Sequence, residues 1–278
     1  MLKKIVMKNG ICTGVFCVLA VIISFAIYNM THVLLTHFGV EQRLGGTVGR
    51  FLACIAILII YNQIMDIKTL GMQKENFLKG LLTGGFLFFV LVANVFGSLN
   101  ELSEYPVIMP ALSLILIIIV EQIFVGIFEE FLFRGLVLNT ILAKMKGDSF
   151  KNKIIAILLS SVLFGVIHFL NLFDTPELMN ATIQQVCFAA FTGVFLGALY
   201  LRTNNIWVVA FYHTLTNIAG EMPAIFYDIP EAVVTEAATD VTVAAAVENI
   251  AMNLIFVVVG LFLARKLRPS ISAPQENP

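Results

Sequence analysis

Eight apolar stretches, each close to the length of a membrane crossing, divide this 278-residue chain. They fall at about 11–36, 45–65, 77–97, 108–128, 154–172, 181–201, 205–220 and 244–264. A bilayer core about 30 Å thick needs about 20 apolar residues of helix to cross it. Within lipid every backbone N–H and C=O must be satisfied inside the segment, which leaves the helix as the spanning form for runs like these. The sequence therefore predicts an all-α, polytopic transmembrane helical bundle of about eight spans. The seventh run is short and meets Gly220 and Pro223, so a tilted or partial span is expected there. Composition closes off the alternatives. Apolar residues are 59% of the chain and charged residues 13%, too few polar groups to cover a soluble domain. The mean hydropathy of +0.93 excludes disorder on the same ground.

The first run follows Lys3, Lys4 and Lys8 and contains Ser24-Phe25-Ala26, as a signal peptide would. Its apolar residues continue through Leu35, longer than a signal segment needs, so a retained first helix is expected. Basic residues favour the cytoplasmic loops. With eight spans and a cytoplasmic N-terminus, 15 of the 17 Lys and Arg fall on or beside cytoplasmic segments: the N-terminus, 66–76, 129–153, 202–204 and the C-terminus. Arg43 and Arg50 are the exceptions. The outer loops are acidic, with Glu101, Glu104, Asp174, Glu177, Asp228, Glu231, Glu236 and Asp240. Both termini are thus expected in the cytoplasm. Residues 129–153 read as an amphipathic, partly helical loop, and Pro269–Pro278 as a disordered tail. Cys12, Cys17, Cys54 and Cys187 lie in apolar runs without a CxxC pair, which suits buried thiols rather than a zinc or redox motif.

Ionisable groups set in apolar sequence are costly and mark candidate sites. Three runs carry them. In Phe128-Glu129-Glu130-Phe131-Leu132-Phe133-Arg134, Glu130 and Arg134 are four apart and can pair on one helix face. Glu129 points about 100° away and must face something else. The second run ends on His168, after Phe164-Gly165-Val166-Ile167. In the third, His213 and Asn217 share a face at i and i+4 and can donate to one anionic oxygen. Each run alone also suits a plainer role: a solvated helix end, a histidine bonded within its own bundle, an interhelical polar contact. His32 and His37 sit near the outer end of the first span and read as interfacial. Straight full-length spans do not bring the first two runs level. At 1.5 Å per residue, Glu129 is about 28 Å from Pro110, and His168 about 22 Å from Lys153. One helix must extend beyond the bilayer, tilt or break.

In order and spacing the three runs resemble the CPBP family of intramembrane proteases, which includes the CAAX prenyl endopeptidases of the Rce1 type and relatives linked to bacteriocin immunity. The resemblance covers about residues 108–220, flanked by an N-terminal part, 1–107, and a part comprising outer loop, last span and tail, 221–278. It implies hydrolysis of a peptide bond in a membrane-associated protein or peptide, prenylated in the best-known case. Glu129 and His168 would activate water, and His213 and Asn217 would stabilise the oxyanion. Glu130 and Arg134 would hold the helix, or Arg134 would bind a substrate carboxylate. Glu129, His168 and His213 also suffice as ligands for a catalytic Zn²⁺ with an open position, although HExxH is absent. A metal-free glutamate–histidine mechanism uses the same residues. The expected partners are the lipid bilayer and a protein or peptide substrate, not nucleic acid, in a multi-pass membrane protein (of the plasma membrane, if bacterial). Two rival readings use the same features. A proton- or cation-coupled transporter would draw in Glu121, two turns before Glu129. A non-catalytic immunity or scaffold protein would bind without cutting.

Overall fold

The apolar runs form helices. A computed structural model of the chain describes residues 1–73, 75–145, 149–173, 175–230, 233, 239 and 243–265. Its α-helices are α1 (Leu2–Val6), α2 (Gly10–His37), α3 (Gln42–Ile64), α4 (Phe77–Thr83), α5 (Gly85–Glu101), α6 (Leu112–Glu130), α7 (Asn139–Lys144), α8 (Phe150–Val166), α9 (Met179–Thr203), α10 (Ile206–Phe226) and α11 (Val243–Ala264). Among the described residues there is no strand, only a single antiparallel bridge between Val107 and Tyr227. Seven segments are long and apolar enough to cross a membrane: Gly10–His37, Gln42–Ile64, Gly85–Glu104, Leu112–Lys144, Phe150–Phe173, Pro176–Thr203 and Ala244–Ala264. Of the eight expected spans, the seventh falls short of that standard: it is α10, which carries His213, Thr214, Thr216, Asn217 and Glu221. The chain is an integral, multi-pass membrane protein. Large apolar side chains such as Phe88, Phe89, Phe96 and Val258 face outward, as a bilayer requires.

Two spans differ from expectation. The third was expected at 77–97, but α4 ends at Thr83 and the crossing helix begins at Gly85. Gly84, at the junction, packs so closely on α10 that a Cβ there would lie 2.4 Å from the Tyr212 ring. The fourth was expected to stop near 128. Instead α6 continues through a π-helix, Phe131–Leu138, into α7, so that 33 residues form one segment from Leu112 to Lys144. At 1.5 Å per residue that is about 50 Å, well beyond the hydrocarbon core. This extension is what resolves the difference in level between Glu129 and His168. All eight residues of the π-helix are buried. The stretch read as the start of an amphipathic loop is therefore interior, and its apolar Phe131, Leu132, Phe133, Leu136, Val137 and Leu138 are core. The Ser160 hydroxyl on α8 donates to the Phe133 carbonyl at 2.7 Å, meeting a backbone acceptor inside the π-turns.

Polar side chains at the loop ends hold the start of α10. The Asn205 carboxamide accepts from the backbone of Trp207 and donates to the carbonyls of Gln73 and Glu75. Trp207 Nε1 donates to the Met72 carbonyl at 3.0 Å. At the other end, backbone hydrogen bonds join Ile108 to Phe226 and Asp228 to Pro106. At the start of α3, the exposed Glu41 carboxylate is held below the usual carboxylate range by the backbone N–H groups of Arg43 and Leu44. That cap contributes above the ordinary carboxylate pKa and is lost as pH falls through the lowered one. Expected features at Lys74, Lys146, Asp174, Glu231, Glu236, Asp240, Lys266, Arg268 and Pro269–Pro278 lie outside the described residues.

Candidate active site

The long helix and α10 meet along a polar seam, made possible by one glycine. A Cβ on Gly126 would stand 2.5 Å from Thr214 Oγ1 and 2.9 Å from the Ala210 carbonyl. Without a side chain there, α10 lies close against α6, and His213 reaches the two glutamates one turn further on. His213 Nδ1 is 2.7 Å from Glu130 Oε1, and its Nε2 is 3.3 Å from Glu129 Oε2. Glu130 Oε1 also accepts from Arg134 Nη1 at 2.7 Å. Glu130 is fully buried and Arg134 is 1% exposed. The pairing of Glu130 with Arg134 is thus as the spacing predicts, but in the protein interior rather than at a solvated helix end. Glu129 keeps 16% of its side-chain surface accessible. It is the accessible member of the acidic pair.

Phe164 organises the far side. The Arg134 guanidinium sits over its ring at 4.5 Å. The imidazoles of His168 and His213 both approach that ring edge-on, with centroids 5.2 and 5.7 Å away. A Cβ on Gly165 would lie 2.7 Å from the Val186 carbonyl, so α8 packs tightly on α9 and leaves Phe164 pointing into this cluster. His168 stands where α8 tightens into the 3-10 turns Ile167–Phe173. Its Nδ1 is 3.0 Å from the Phe164 carbonyl, which can only accept, so Nδ1 carries the proton. Nε2 then has no hydrogen-bond partner among the described residues. Asn217 is half-buried one turn beyond His213 and has no hydrogen-bond partner among the described residues.

His168 does not hydrogen-bond Glu129; among the described residues the partner of Glu129 is His213. Nor do the residues assemble a zinc site. Among the described residues no three His, Cys, Asp or Glu side chains form a group that could hold a metal ion. In the set Glu129, His168 and His213, both nitrogens of His213 already face carboxylates, Nδ1 toward Glu130 and Nε2 toward Glu129. With Nδ1–H donating to Glu130, the contact between Nε2 and Glu129 needs one more proton, on the imidazole or on the carboxyl. That proton would balance two carboxylates against Arg134 and His213.

Glu121 stands out in the sequence, but its partners do not. Glu121 is bonded to Arg43 and, at 3.3 Å, to Arg50, whose second nitrogen reaches the Tyr28 hydroxyl at 3.2 Å. Arg43 also pairs with Glu221 at 3.3 Å, and Gln122 donates to Glu221. Glu121, the residue that a transporter reading draws in, is thus ion-paired on both carboxylate oxygens. Glu221 had a signal in the sequence: it lies four residues beyond Asn217 and eight beyond His213, on one face of α10.

Residues 111–219 match the family model described as type II CAAX prenyl endopeptidase Rce1-like. Searches of curated proteins and of solved structures give no match.

Proposed function

We propose that this chain, Rce1-like over residues 111–219, is an intramembrane endopeptidase that hydrolyses a peptide bond of a membrane-associated, CAAX-type substrate by a metal-free glutamate–histidine mechanism. The observation that carries this reading is the buried cluster Glu129–His213–Glu130–Arg134 inside the matched segment. Ion groups at such depth are expensive, and a cluster that leaves one carboxylate accessible suits general base work.

The free Nε2 of His168 accepts one hydrogen bond from a water, and Glu129 takes the proton from that water as its oxygen attacks the scissile carbonyl. The oxyanion that forms accepts from the Nε2–H of His213 and from the side-chain amide of Asn217. Glu130 holds His213 through Nδ1, fixing which ring nitrogen faces the substrate. As the C–N bond breaks, the proton on Glu129 passes to the departing amine. Arg134 keeps Glu130 ionised in the interior by pairing with it.

The test uses the full-length protein in lipid vesicles and a prenylated CAAX peptide. The wild type cleaves it, and exhaustive chelation with metal content measured leaves the rate unchanged. Loss of cleavage on chelation, restored by Zn²⁺, would overturn the metal-free mechanism.

A further inference from the structure

A second concentration of polar side chains lies away from the α6–α10 seam. Asn94 on α5, Gln184 and Gln185 on α9, and Glu248, Asn249 and Asn253 on α11 line one open cavity of about 650 Å³. All six belong to segments long and apolar enough to cross a membrane. In α11, Val243–Ala264, the three are the only polar side chains. Asn94 is likewise the only one between Gly85 and Gly97. Three helices of membrane-spanning length thus turn polar groups toward the same space.

Half of those groups are unmatched. Asn253 donates to Asn249 at 2.7 Å, and Asn171 donates to Gln185 at 2.9 Å. Among the described residues Asn94, Gln184 and Glu248 have no hydrogen-bond or ion-pair partner. Asn253 stands ten residues into α11, about 15 Å along the helix, half the thickness of a hydrocarbon core. Glu248 lies five residues in, about 7.5 Å along the helix. Polar groups at these depths in apolar helices favour partners over lipid. No described Lys or Arg lines the cavity, so a phosphate headgroup would find no cation there. Carboxamides both donate and accept, and they join helices within membranes. The one charge, on Glu248, calls for a basic group.

We propose that this cavity is an intramembrane docking site for the membrane-spanning helix of a partner protein, one that offers a carboxamide to Asn249 and Asn253 and a basic side chain to Glu248. The site is independent of the proteolytic reading. Its chemistry is the mutual satisfaction of polar groups that neither partner can expose to lipid alone.

The experiment measures energy transfer in phosphatidylcholine vesicles between the labelled full-length protein and synthetic membrane-spanning Leu/Ala peptides. One peptide carries an Asn with a Lys one turn away; the other has Leu at both places. The wild type should bind the Asn/Lys peptide about tenfold or more tightly than the apolar one, the effect of one or two interhelical hydrogen bonds. The triple variant Glu248→Leu, Asn249→Leu, Asn253→Leu should lose the preference. It puts leucine into a helix whose other side chains are already apolar, so insertion and helicity persist, as membrane fractionation and circular dichroism will show. Glu248→Lys should shift the preference to a peptide with Asp in place of Lys. Equal binding of both peptides by the wild type, or a preference untouched by the triple variant, would overturn the proposal and leave a cavity filled by water or lipid.

Discussion

Glu129 and Glu130 are adjacent in sequence and opposite in circumstance. Glu130 is sealed between Arg134 and His213, while Glu129 retains a face toward the site. Their substitutions should therefore separate. Removing one partner of a buried ion pair strands the other charge and costs about 3–5 kcal/mol. Glu130→Ala should accordingly lower stability by about that amount, read by denaturant unfolding in detergent. The double variant Glu130→Leu, Arg134→Leu should regain part of the loss, because apolar groups of similar volume replace both charges while Nδ1 of His213 loses its acceptor, and it should not regain activity. A stable Glu130→Ala protein would show that the pair is not buried as described. At this scale much was readable. The i, i+4 spacing foretold the Glu130–Arg134 pair, but the turn of about 100° did not foretell that Glu129 meets the same His213 that Glu130 holds. Which histidine it meets was not readable, since that depends on how α10 approaches α6.

That approach is a property of elements. Gly126 carries no sequence mark that separates it from the other 18 glycines, yet it sets the distance between two helices. Gly126→Val should push α10 outward by overpacking, at a cost of about 1–3 kcal/mol. Because the displaced helix bears His213 and Asn217, cleavage should fall much further than stability does. Activity and unfolding measured on the same preparation decide this, and a fully active Gly126→Val protein would contradict the close-approach account. The π-helix was equally hidden. Periodicity shows a helix near 128 but not a change of hydrogen-bond register after it. The charged pair at 129–130 looked like a helix end because a snorkelling end and a buried junction share the same composition.

Across the whole molecule, hydropathy legibly marked the helices, including the short seventh run whose polar residues belong to the site. It did not show that the third run divides at Gly84, because α4 and α5 are both apolar and differ in what they pack against. Orientation rests on the distribution of Lys and Arg. With the native cysteines replaced, a single cysteine at Tyr105 should react with an impermeant maleimide from outside intact cells. One at Ser149 should react only after permeabilisation. Labelling of both from the same side would refute the single crossing, Leu112–Lys144, expected between them and the assigned orientation.

The account stands on Glu129 as the base of a peptide-bond hydrolysis in the membrane. The most direct measurement compares new peptide termini in the membrane fraction of cells carrying the wild type or Glu129→Gln, with equal amounts of inserted protein. Loss of a general base typically costs about 10²–10⁴ in rate, so termini present with the wild type should vanish with the variant. Identical sets of termini from the two would contradict the assignment of Glu129 and of proteolysis alike.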